Sequence, residues 1–153
     1  MRKIWEQYPR EFHEWDDVLQ EHEASEPVVT LSYLREECQN IPELFELYTD
    51  MENSFYNYAE IFFKFNRILK IQNQESVKFR AEYGRLDEDR HNIHNATIDS
   101  IFILARNMEK AGLDGSWIKK VGQGNRENRA AVQALVINNI YYEYKYRHKE
   151  GKI

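Results

Sequence analysis

The sequence predicts an all-α fold, an up-and-down bundle of four to five helices with short N-terminal helices lying across it. Three observations carry this. Glutamate supplies 19 of 153 residues and Lys and Arg are also abundant, a composition that favours helix. Apolar residues recur at three-and-four spacing over long stretches, whereas β-branched residues do not alternate with period two. Only 3 Pro and 6 Gly punctuate the chain, too few for a sandwich built on many tight turns. The length suits a single helical domain over residues 1–153, since domains usually run to about 100–200 residues.

The elements follow in order. Residues 1–40 hold short helices. Trp5, Tyr8, Phe12, Trp15 and Leu19 trace a stripe that Pro9 interrupts. A turn followed by a helix from about Pro9 to Glu23 is expected, because Pro is tolerated in a first turn. Pro27 marks a connector over 24–29, and Thr30 is a fitting N-cap for a helix over 31–39. Pro42 suits the first position of the next helix and pushes Ile41 out of helical geometry. Residues 42–74 form the first core helix, with Leu44, Tyr48, Met51, Phe55, Tyr58, Phe62 and Phe65 on one stripe. Ile61, Phe63 and Ile71 add a second apolar edge, so this helix is expected to be central. Ser76 to Gly84 reads as a further helix or its start, with Gly84 at the join. Residues 85–111 form the second core helix, on the stripe Ile93, Thr97, Ile101, Leu104, Ala105 and Met108, closed by Gly112. A short turn over 117–121 sits in the only glycine-rich stretch. Asn125 then caps the third core helix, 126–148, and 149–153 should fray.

Composition excludes several classes. One cysteine rules out an internal disulfide framework and a cysteine-based zinc site. No apolar run approaches the roughly 20 residues of a membrane span. No long apolar stretch of the signal-peptide kind opens the chain. With no disulfides expected, the chain reads as cytoplasmic. Aromatics at 14% are too many for a disordered chain. The net charge of -5 conceals an asymmetry: residues 1–60 carry 15 acids against 4 bases, and residues 61–153 carry 11 against 17. Two helical layers, or two copies packed acid face to basic face, would use it. A homodimer is expected because two helices look apolar on more than one face, with an unidentified protein partner and no membrane. The acidic third disfavours general nucleic-acid affinity.

The densest polar run is 85–95. Arg90 and His94 lie one turn apart, with His94 on or beside the buried stripe, and a polar group there needs a partner. They are the candidate catalytic residues. An arginine holding a scissile phosphate and a histidine moving a proton would make a ribonuclease. Arg85 and His91 fit the spacing of an RNA-cleaving helical bundle of the HEPN kind, although Leu86 stands where that family usually has a polar residue. A metal-dependent hydrolase is the related alternative, with Glu88, His91 and His94 as candidate ligands. Glu88 and His91 give Glu-x-x-His, but no second copy follows to complete a di-metal bundle. No cofactor is expected. The turn at 122–129 before a helix N-terminus, with the basic C-terminal helix and its tyrosines, is the candidate for anion or nucleic-acid binding. Cys38 has no His or Lys close in sequence, which leaves a thiol nucleophile unsupported.

Arg90-x-x-x-His94-Asn95-x-x-Ile98, then Gly112-Leu113-Asp114-x-Ser116-Trp117, Gly122 and Arg126 or Arg129, resembles an uncharacterised bacterial domain-of-unknown-function family of small helical proteins. The resemblance spans about residues 85–135 and implies no known activity. It implies that Arg90, His94, Asn95, Asp114, Trp117 and Arg129 gather around one helix–loop–helix corner. The leading expectation is a non-enzymatic regulatory or protein-interaction module.

Overall fold

The computed structural model describes residues 4–13, 29–69, 76–121 and 129–145. Among these residues the chain is helical and has no strand. The helices are α1 (Ile4–Gln7), α2 (Leu31–Cys38), α3 (Pro42–Leu69), α4 (Val77–Lys110) and α5 (Arg129–Glu143), with a 3-10 turn over Ser116–Val121.

Local chemistry explains the ends. Thr30 is extended, and its side chain accepts a hydrogen bond from the Tyr33 N–H, which starts α2. Pro42 is the first residue of α3. Its missing N–H is one that a helix start leaves unpaired in any case. Ser76 caps α4 by accepting from the Phe79 N–H at 3.0 Å. Gly112, at φ +83°, closes α4. Its N–H donates to the Glu109 carbonyl, and the Leu113 N–H reaches back to Met108. That pattern satisfies carbonyls a helix end would otherwise leave open.

Two boundaries differ from expectation. The second core helix begins at Val77, not Arg85, so α4 is one helix of 34 residues with Gly84 inside it. Gly84 costs about 1 kcal/mol against alanine there. Tyr83 stacks on Phe65 and Phe79, with ring centroids at 5.1 and 5.9 Å, and this packing carries the helix through. At the N-terminus, the turn before Pro9 is itself helical, and residues 9–13 form a second helical stretch after a bend at Tyr8. The part of the expected Pro9–Glu23 helix beyond residue 13, residues 70–74 of the first core helix, the Asn125 cap and the tail from 146 lie outside the described residues.

The long helices α3 and α4 run antiparallel. Phe65 faces Tyr83, and Tyr58 faces His94. α3 is central, as its two apolar edges predict. One edge buries Tyr58 against His94 of α4, and the other buries Phe63 under Tyr8 and Phe12 at 5.5 and 5.1 Å. Arg67 fixes the N-terminal segment to α3. It pairs with Glu11 at 2.5 Å and its guanidinium lies over the Tyr8 ring. α5 is joined to the start of α2 by Asn139, which is 1% exposed. Its amide donates to the Val29 and Leu135 carbonyls and accepts from the Leu31 N–H. One apolar cluster runs through all these elements.

Candidate functional site

Side chains from three helices enclose a recess of about 270 Å³. Tyr58, Phe62, Phe65 and Asn66 come from α3, Arg90 and Ile93 from α4, and Gln133 from α5. The helical period produces this set. Residues 58, 62 and 65 stand one turn apart along α3, and 90 and 93 do so along α4.

Arg90 is held on two sides. Its Nη2 donates to Asp87 Oδ1 at 2.6 Å, and its guanidinium carbon lies 4.6 Å from the Phe65 ring centroid, a cation–π contact. Its Nε is buried with no hydrogen-bond partner among the described residues. Asp87 also approaches His91, with Nε2 3.8 Å from Oδ2. Arg90, His91 and Asp87 thus form a half-exposed trio on one flank of α4.

His94 is placed differently. It is 3% exposed, and its Nδ1 lies 3.4 Å from the Tyr58 hydroxyl. Tyr58 lines the recess and contacts His94, and the imidazole is not itself part of the lining. Thr97, one turn further, is fully buried, and its hydroxyl finds no partner among the described residues. A polar seam therefore runs down the α3–α4 interface beneath an aromatic recess.

Of the expected corner, Arg90, His94 and Asn95 share one stretch of α4, with Arg90 half-exposed at the recess and His94 buried against Tyr58. Asn95 is exposed. Asp114 is also exposed and accepts from the Ser116 N–H at 2.9 Å; the Ser116 hydroxyl first, and then this N–H, lower its pKa. Trp117 is buried beyond the far end of α4, where Gly115 is tight against Ala105 and Glu109. At 1.5 Å per residue, about 16 Å of helix separates residues 94 and 105. That rise keeps Asp114 and Trp117 apart from Arg90 and His94. Arg129 begins α5.

The metal ligands expected at Glu88, His91 and His94 do not converge. Glu88 is exposed, His91 turns to Asp87, and His94 is buried against Tyr58. No group of three or more His, Cys, Asp or Glu side chains suited to a metal ion occurs among the described residues. The pair Arg85 and His91 also diverges. Six residues turn a helix through about 240°, and Arg85 lines an open groove with Lys64, Glu82 and Asp89 on the other flank. The anion site expected at 122–129 lies almost wholly outside the described residues.

A second polar cluster escaped the sequence reading. Arg35 on α2 donates to Glu52 Oε2 at 2.8 Å, and Tyr48 also donates its hydroxyl to that carboxylate. Buried Glu143 of α5 acts electrostatically on both Arg35 and Tyr48. Burial, then the Glu52 contact, pushes the Tyr48 phenol well above its usual value. Burial pulls the Arg35 guanidinium down, but Glu52, Tyr48 and Glu143 outweigh it and raise it. The cluster ties α2, α3 and α5 together. Tyr48 and Glu52 are four apart, a local clue, but only the fold brings in residues 35 and 143.

No helix among the described residues is long and apolar enough to cross a membrane. Compared with protein-family models, curated proteins and solved structures, the chain has no significant match.

Proposed function

We propose that this chain is a non-enzymatic regulatory and protein-interaction module whose ligand-facing feature is the aromatic recess of α3, α4 and α5. The observation that carries the reading is the position of His94. An acid–base histidine must reach the atom it protonates, but this imidazole is 3% exposed and packed against Tyr58. Apolar side chains left at the hairpin end beside the recess support an interaction role. Leu69, Val77 and Tyr83 are 42%, 78% and 37% exposed. The dimer and the bacterial, cytoplasmic setting belong to the same proposal.

A second, enzymatic reading is favoured by Asp87, which bridges Arg90 and His91 on an accessible flank. In that version His91, not His94, would move the proton. One preparation purified without chelator separates the two readings. RNA cleavage and metal content are measured on the wild type, His91→Ala and His94→Ala. The binding reading expects no cleavage and no stoichiometric metal in any of them. Cleavage lost on replacing His91 would overturn it.

A further inference from the structure

Resting on the non-enzymatic reading of this site, we propose that the recess between α3, α4 and α5 binds a small planar aromatic carboxylate. The volume sets the size. A cavity of about 150 Å³ accommodates benzene, so about 270 Å³ takes a ring system with a short acidic arm. The walls set the shape. Tyr58, Phe62 and Phe65 present rings, and Ile93 closes one side. A flat aromatic gains more from such walls by edge and offset contacts than an aliphatic chain of equal area.

The charge sets the functional group. Arg90 is the only charged side chain among the described residues lining the recess. Its contact with the Phe65 ring holds the guanidinium beside the recess, so little ordering remains when a ligand arrives. The single Asp87 bond leaves most of its five donors uncommitted, and the buried Nε has no acceptor among the described residues. A planar carboxylate matches that geometry in a two-point contact. Asn66 and Gln133 add uncharged polar groups to the same lining.

The test is calorimetric titration of the full chain with indole-3-acetate, with indole and acetate as controls. Saturable binding is expected, stronger than either control gives. Arg90→Gln should weaken it about tenfold or more, as loss of a charge-assisted contact does. Asp87→Asn should tighten it about two- to fivefold by removing a competing carboxylate. Gln133→Trp, which fills the recess from an exposed position, should abolish it. Thermal melts confirm that each variant is folded. Absence of saturable binding would overturn the proposal, as would indole binding equally well with no effect of Arg90→Gln, or weaker binding by Asp87→Asn. The probe is also recovered and checked for chemical change. Turnover would overturn the non-enzymatic reading and leave the site standing, whereas absent binding removes the site and leaves that reading.

Discussion

At the scale of single residues, buried polar groups join elements far apart in the chain. Asn139 is the clearest. Its amide satisfies the Leu31 N–H and the Val29 carbonyl, both buried and more than a hundred residues away in the chain. Replacing it with alanine strands both groups, and an unsatisfied buried group costs about 1–3 kcal/mol. Urea unfolding of Asn139→Ala is therefore expected to show a loss of about 3 kcal/mol, while exposed Asn95→Ala stays within about 0.5 kcal/mol. Residues whose role is local were legible in the sequence. Thr30, Pro42 and Gly112 sit where capping chemistry puts them, because each acts on neighbours a few positions away. Asn139 was not legible. In sequence it is one amide in an apolar helix, and its partners come from a helix start more than a hundred residues earlier. The same holds for Arg35 and Glu143, joined to Tyr48 and Glu52 only by the fold.

At the scale of elements, α4 is two halves of unequal packing. Between Phe79 and His94 it buries no residue, whereas from His94 to Met108 it buries seven. Local opening follows buried contact. Amide exchange is expected to be faster over 80–90 than over 97–108 of the same helix, and equal protection along its length would contradict this. The boundary error at Arg85 has the same origin. Residues 77–84 carry a glycine and little periodicity, so propensity alone places a break there. The contact of Tyr83 with Phe65 of α3 overrides it, and a contact between distant elements is not written in a local window, unlike the Phe79–Tyr83 pair one turn apart. By contrast, the stripes of α3 and the second half of α4 are long and strongly periodic, and the structure follows them.

At the scale of the whole molecule, burial couples folding to pH on the alkaline side. Burial first, and then Glu52, raises the Tyr48 phenol; burial likewise raises Tyr8 and the Cys38 thiol. Each group therefore keeps its proton in the folded chain at a pH where the unfolded chain has lost it. The unfolded state binds fewer protons there, so stability falls as pH rises. The contribution is intact below about pH 8.5, where unfolded thiols begin to ionise, and declines above about pH 10 as unfolded phenols follow. Denaturant midpoints across pH 7–11 should show that decline, and a midpoint constant to pH 11 would contradict it. The candidate site was legible only in part at this scale. The helical period sets Arg90 and His94 one turn apart, about 40° apart in rotation, but which of them meets the recess and which is buried against Tyr58 depends on α3. Asp114 and Trp117 follow the C-terminal end of α4, more than a dozen residues from His94.

The central claim is that His94 supports the site through Tyr58 while the solvent-facing groups bind. Paired urea unfolding of His94→Ala and His91→Ala measures it most directly. The buried imidazole against Tyr58 predicts a loss of about 2 kcal/mol or more for His94→Ala, and for half-exposed His91→Ala a change within about 0.5 kcal/mol. A His94→Ala chain as stable as the wild type would contradict the claim and return His94 to the list of reactive groups.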